Sequence, residues 1–180
     1  MKKTIALCLI GFVICLATAA NAITLSPKLS YVGWLGIGAE FSPLYKITKD
    51  IDLMGEVNWS MWSWSGGAGY MYGELNAVYN AQQFKMGEGK SAQKLNPYVG
   101  GGLILGFPLG TANLGGSFSG GVGFGIFGGV TGKLDPYTWY TQLKWATAPI
   151  TYNWTVLGTG FSASSNALGM GMEFGIRMPL

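Results

Sequence analysis

The sequence predicts an all-β protein: a closed, antiparallel transmembrane β-barrel of eight up-and-down strands. Three observations predict this class. Apolar residues alternate with polar residues or glycine along much of the chain. Only 11% of the 180 residues are charged, whereas 49% are hydrophobic and 30 are glycine. A soluble domain usually has about 25% charged residues. Finally, the chain begins with the features of an export signal.

The export signal predicts the domain organisation. Lys2 and Lys3 precede an apolar run from Ile5 to Leu16, and a stretch of small residues ends in Ala20-Asn21-Ala22. A basic start, a short apolar segment and an Ala-x-Ala end are typical of a cleaved secretory signal. We therefore predict a signal peptide at residues 1–22 and a single barrel domain at residues 23–180.

Alternation of side chains predicts the strands. In Ile51–Met61 every odd-numbered residue is apolar or glycine, and most even-numbered residues are polar. In Leu168–Met178 the even-numbered residues are all apolar, and the odd-numbered residues are only Gly, Glu or Arg. Successive side chains of a strand point to opposite faces, so each segment has one apolar and one polar or empty face. The predicted strands are Leu29–Phe41, Ile51–Met61, Tyr70–Tyr79, Tyr98–Phe107, Gly121–Val130, Tyr137–Trp145, Tyr152–Phe161 and Leu168–Met178.

The low charge indicates which way the apolar face points. In a soluble sandwich the other face would have to be wetted by charges, but here it consists largely of glycine, tyrosine and tryptophan. In an outer-membrane barrel the apolar face contacts lipid and the polar face lines the lumen. Because lipid does not tolerate open sheet edges, the sheet must close. A glycine-zipper helical hairpin over Pro97–Gly132, which contains no charged residue, is the alternative architecture.

Two short segments carry a family resemblance. The strand opening Asn96–Gly102 and the terminal strand Glu173–Met178, together with the signal and the alternating strands, resemble the OmpA/OmpX/OmpW-like group of small outer-membrane barrels. The resemblance implies an outer-membrane location, contact with outer-membrane lipid and folding by the barrel-assembly machinery. Family members usually end on a phenylalanine that this machinery reads, whereas this chain ends Met178-Pro179-Leu180.

The polar faces of the predicted strands define a candidate lumen site. Buried charges persist when they are paired, so we expect an internal network in which Arg177 and Lys144 compensate several glutamates. The predicted network residues are Glu40, Asp52, Glu56, Glu74, Lys144, Glu173 and Arg177. Glycines on the same face remove side-chain volume and favour a cavity: Gly36, Gly38, Gly121, Gly123, Gly125, Gly169, Gly171 and Gly175. Aromatic residues predicted on this face could fill it: Trp34, Trp62, Tyr70, Tyr72, Phe127 and Tyr140.

Composition excludes several classes of function. The chain has no histidine, and both cysteines, Cys8 and Cys15, lie in the predicted signal peptide. We therefore expect no catalytic residues, no metal site and no cofactor. We also expect that the protein is not an enzyme. A net charge of +3 is too small and dispersed to indicate nucleic-acid binding. An eight-stranded barrel is wide enough only for side chains or one small ligand. The leading function is a structural or interaction scaffold for an unknown surface partner, and the alternative is a narrow channel or binding barrel for a small solute.

An even number of strands also predicts the orientation. Both termini should lie in the periplasm. With the strands given above, Gln82–Lys94 should be an external loop and Pro108–Gly116 a long periplasmic turn.

Overall fold

The computed structural model describes residues 24–61, 69–89, 92–109 and 116–179, so the predicted signal peptide lies outside the described residues. Within these ranges no helix is long and apolar enough to cross a bilayer. The described strands are β1 (Thr24–Val32), β2 (Trp34–Lys46), β3 (Ile51–Met61), β4 (Gly69–Asn80), β5 (Phe84–Met86), β6 (Gln93–Leu109), β7 (Ser117–Gly120), β8 (Val122–Leu134), β9 (Tyr137–Thr147), β10 (Pro149–Val156), β11 (Thr159–Asn166) and β12 (Met170–Pro179).

Eight of these strands close into a barrel. Going round the wall, the order is β1, β2, β3, β4, β6, β8, β9 and β12, and every neighbouring pair is antiparallel. The last strand returns to the first, with Leu29 opposite Phe174, which leaves no open edge in the wall. The predicted fold class, a closed up-and-down barrel of eight antiparallel strands, is therefore confirmed.

The predicted strand Leu29–Phe41 is wrong, because the structure divides this segment between β1 and β2. The chain reverses at Gly33, whose φ of +73° lies in the left-handed region that glycine adopts without steric cost. Tyr31 and Leu35 pair directly across the turn and both point outward. Because the turn leaves the period-two pattern in phase, alternation alone could not reveal it.

The predicted strand Tyr152–Phe161 is also wrong, since this segment turns at Leu157 and Gly158 and belongs to a hairpin outside the barrel. The barrel keeps eight strands because the β1–β2 hairpin adds one where this segment removes one. We call the end of the barrel that holds Thr24 and Pro179 the terminal end, and the opposite end, at Gly33, the far end.

The extra hairpin at Gly33 reverses the direction of the strands that follow it, so the predicted sides of the two long connections relative to the termini are also wrong. The periplasmic location of the termini stays a prediction. Gln82–Lys94 connects β4 to β6 at the terminal end. Pro108 and Gly116 lie at the far end. The long connection is therefore on the side away from the termini.

Three strands extend the barrel wall past the far end. β7, β10 and β11 continue β8, β9 and β12, and β10 pairs with both β7 and β11. We call this three-stranded extension the arm. It is the clearest departure from a plain eight-stranded wall in the described part of the chain.

The outer surface of the barrel is an apolar belt. Large apolar side chains on every part of the wall are exposed, among them Leu29, Ile37, Leu75, Val99, Leu103, Phe124, Ile126, Leu143, Met172 and Phe174. Exposed aromatic residues lie toward the rims: Tyr31, Trp59 and Trp145 at the far end, and Tyr79 and Tyr137 at the terminal end. Water-exposed surfaces of soluble monomers rarely carry a contiguous apolar patch of this extent, whereas a lipid-facing surface requires one.

Candidate functional site

The barrel interior is filled by side chains arranged in layers. An apolar cluster lies toward the far end and consists of Val32, Tyr70, Tyr72, Ile104, Ala146, Ala148, Ile150, Ala167 and Leu168. A smaller cluster of Met54, Val78, Tyr98 and Phe127 lies toward the terminal end. Charged side chains occupy the space between the two clusters. The layers arise because the inward-facing residues at one height of the neighbouring strands are of the same kind, apolar toward the two ends and charged between them.

The charged layer is a set of shared ion pairs, which we call the lumen cluster: Lys28, Glu56, Glu74, Lys144 and Glu173. Lys28 contacts Glu56 and lies 3.1 Å from Glu173 Oε1. Lys144 Nζ lies 3.0 Å from Glu56 Oε2, 2.5 Å from Glu74 Oε1 and 3.6 Å from Glu173 Oε2. All five side chains are fully buried. The two lysines, from β1 and β9, thus connect carboxylates of β3, β4 and β12 across the lumen.

Neutral polar side chains also donate hydrogen bonds to the carboxylates of the lumen cluster, although Oε1 of Glu56 is buried without a hydrogen-bond partner among the described residues. Ser30 Oγ donates to Glu173 Oε1 at 2.9 Å, and the amide of Gln142 donates to the other oxygen of Glu173. Tyr98 in turn donates its hydroxyl to Gln142 Oε1 at 2.9 Å. The amides of Asn58 and Asn76 donate to Glu56 and Glu74. Buried charges are stabilised only when such partners satisfy their remaining hydrogen-bonding atoms.

A second ion pair lies nearer the terminal end. Arg177 Nε donates to Glu40 Oε1 at 2.7 Å. The guanidinium group also packs over the rings of Tyr140, at 5.0 Å, and Tyr98, at 5.5 Å. Cation–π contacts of this kind add to the ion pair when water is excluded. Among the described residues, the interior ion pairs therefore involve four carboxylates and three cations.

The structure brings most of the predicted network residues together. Asp52 lies apart at the terminal rim, where it accepts a 2.8 Å hydrogen bond from Asn80 Nδ2. Lys28 was not predicted, because the predicted first strand began at Leu29, whereas β1 begins at Thr24. Its alternation with Ser30 was the signal that could have placed it in the lumen. The predicted residues found in interior ion pairs are Glu40, Glu56, Glu74, Lys144, Glu173 and Arg177.

Seven of the eight predicted lumen glycines do not mark open space, and the exception is Gly169, where an added Cβ would meet only the Cα of Gly33 at 3.8 Å. A Cβ added at Gly175 would collide with the ring of Tyr140, and one at Gly38 would collide with the side-chain oxygen of Asn58. These glycines give room to large inward side chains, so the expected cavity is absent at these two positions. Gly36, Gly123, Gly125 and Gly171 also lie in barrel strands, whereas Gly121 and Gly169 lie in the links between strands at the far end.

The inward aromatic residues behave in the same way. Tyr70, Tyr72, Phe127 and Tyr140 are buried in the interior. Trp34 is exposed at the far rim, because it directly follows the Gly33 turn. Trp62 lies outside the described residues.

The described residues contain no group of three or more histidine, cysteine, aspartate or glutamate side chains that could hold a metal ion. The sequence-based expectation of no metal and no cofactor stays a prediction. What the site can do is structural: it cross-links the barrel wall through its interior.

These features define a class of protein: a closed antiparallel barrel with an apolar exterior and an ion-paired interior. No family model matches the chain, and no curated protein matches it. Among solved structures, the chain is similar to the N-terminal β-barrel domain of Pseudomonas aeruginosa OprF, with a TM-score of 0.53 and 13% sequence identity. The match covers 88% of this chain and 98% of that one. At this identity the similarity establishes the barrel fold, and the resemblance to the OmpA/OmpX/OmpW-like group is supported at the level of the fold.

Proposed function

We propose that this protein is an integral outer-membrane β-barrel that acts as a structural and interaction scaffold and is closed to solutes. The observation that carries the proposal is the lumen cluster, whose fully buried ion pairs join strands on different sides of the interior. Apolar clusters on both sides of it add further obstruction. A barrel of this size has room for little besides its own side chains.

The outer surface of the barrel supports a location in the outer membrane. The apolar belt suits outer-membrane lipid, and the aromatic residues at the rims suit the two membrane–water interfaces. The proposal includes export through a cleaved signal at residues 1–22 and folding by the barrel-assembly machinery. We expect no enzymatic activity and no binding of nucleic acid.

One observation favours the alternative of a narrow channel or binding barrel. The interior is polar along several levels of the wall and carries more carboxylates than cations. A rearrangement of the ion pairs would leave a hydrophilic path for a small solute. This alternative therefore requires a second arrangement of the lumen cluster.

Planar-bilayer recordings separate the two functions. We expect the purified protein, once folded, to give no steady single-channel current, because the lumen cluster and the apolar clusters block the path. Folding is checked by gel mobility, since a folded barrel should shift when it is boiled, and a general porin added to the same bilayer verifies that the assay reports open barrels. Steady current from the folded protein would contradict the scaffold and support the channel. Absence of the heat shift in outer-membrane fractions would contradict the membrane barrel itself.

A further inference from the structure

The arm extends beyond the apolar belt without becoming charged. Its longest strands have 8 residues, a length of about 26 Å at ~3.3 Å per residue. No charged residue occurs between Trp145 and Met172. One face of the arm carries hydroxyl and amide groups: Ser117, Asn153, Thr155 and Ser162 line a shallow depression that Trp154 and Phe161 also border. The arm is thus polar enough to stand in water on this face, yet electrically neutral.

The opposite face of the arm carries a row of aromatic rings. Phe118 lies 5.2 Å from Tyr152, Tyr152 lies 5.0 Å from Trp154, and Trp154 lies 5.8 Å from Phe161, measured between ring centroids. The last two pairs are stacked, with interplanar angles of 16° and 18°. The row runs toward the tip of the β10–β11 hairpin. Tryptophan and tyrosine are the residues that favour the boundary between water and a lipid bilayer.

The tip itself combines exposure with backbone strain. Leu157 is 101% exposed and has a φ of +51°, and Gly158 follows with a φ of +80°. A two-residue hairpin turn with two positive φ angles is normally occupied by Asn-Gly. A bulky residue with positive φ is rare and unfavourable. Leu157 is therefore unfavourable both as a turn residue with positive φ and as an apolar side chain exposed to water. Its neighbour Val156 is also exposed.

We propose that the tip of the arm inserts into a second, electrically neutral lipid bilayer that faces the far end of the barrel. The arm resembles a segment that lies at a membrane interface, because it has an aliphatic tip, aromatic rings next to the tip and hydroxyl groups on the other face. Because the arm has no lysine or arginine, its affinity does not come from anionic lipids. This inference rests on the proposed function, since the barrel must itself be held in a membrane.

The test uses the protein incorporated into lipid nanodiscs and mixed with phosphatidylcholine vesicles, and flotation measures the bound fraction. The key variant is Leu157→Asn, which installs the favoured Asn-Gly turn and removes the apolar tip. If Leu157 served only the turn, this variant would bind as well as the wild type. We expect its vesicle affinity to fall roughly tenfold or more, the value of burying one leucine side chain. Wild-type binding should change little with added salt or with anionic lipid.

The matched control is Ile47→Asn, which makes the same apolar-to-amide change in the exposed turn between β2 and β3 at the terminal end. It should bind like the wild type.

Equal binding by Leu157→Asn and wild type would overturn the inference. Binding of the wild type to anionic vesicles alone would also overturn it. If the wild type does not bind protein-free vesicles at all, the inference is likewise overturned, and a protein partner becomes the better explanation of the exposed tip. A protein that enters nanodiscs and shows the heat shift but does not bind vesicles contradicts this inference alone; one that fails to enter contradicts the proposed function.

Discussion

Replacing Lys144 with methionine is expected to lower the free energy of unfolding by about 3–5 kcal/mol, the cost of breaking a buried ion pair from one side. Lys144 contacts three of the interior carboxylates, and Lys28 is the other lysine of the lumen cluster. Removal of Lys144 leaves the fully buried Glu74 without the cation with which it forms an ion pair among the described residues. Urea titration of the protein folded in lipid vesicles, followed by tryptophan fluorescence, measures the change.

Two further variants identify the cause. Lys133→Met removes an exposed lysine near the end of β8 and should change stability by less than about 0.5 kcal/mol. Adding Glu74→Gln to Lys144→Met removes the carboxylate that lost its partner, and should recover a substantial part of the lost stability. If the double variant is as unstable as Lys144→Met or less stable, the loss does not arise from an uncompensated buried charge.

Replacing Gly171 with alanine is expected to weaken closure of the barrel. Gly171 pairs with Val32 at the seam between the last and the first strand. A Cβ at this position would collide with the backbone carbonyl of Tyr31, and backbone cannot move aside as the end of a flexible side chain can. Overpacking typically costs about 1–3 kcal/mol, and we expect the upper end of this range here. The fraction that refolds into the heat-modifiable form reports the effect.

Gly169→Ala is the matched control, since it makes the same change two residues earlier. An added Cβ there would meet only the Cα of Gly33, at an ordinary 3.8 Å. Its refolded fraction should equal that of the wild type. Wild-type refolding by both variants would show that the seam tolerates the Cβ at Gly171. Equal losses from both would show that any added Cβ in this segment disturbs folding, and either outcome would contradict the prediction.

The extent to which sequence predicted the fold depends on what alternation can encode. Strands β3, β4, β8, β9 and β12 were predicted close to their observed positions, because one face of each must meet lipid and the other the lumen. A one-residue turn at Gly33 is invisible to this signal, since the residues on either side keep their faces. The arm was misread as a wall strand because its two faces also alternate, although both lie beyond the belt.

The lumen cluster was predictable in composition but not in pairing. Parity along each strand placed Glu56, Glu74, Lys144 and Glu173 on the inner face, but which side chains meet depends on the register between strands distant in sequence. The glycines show the same limit. Their inward position could be read from sequence, whereas the Tyr140 ring that covers Gly175 comes from the neighbouring strand.

The central claim is that the outer face of the barrel meets lipid, and a charge placed on that face tests it most directly. Leu103 is 65% exposed and pairs with Leu75 and Phe124 within the belt, whereas Leu134 is exposed at the terminal end of β8. The free energy of unfolding in lipid vesicles should fall by about 2–4 kcal/mol for Leu103→Arg and by only about 0–1 kcal/mol for Leu134→Arg, the depth dependence of a membrane barrel. If both substitutions leave stability unchanged, as at a water-exposed surface, the outer face does not lie in a membrane.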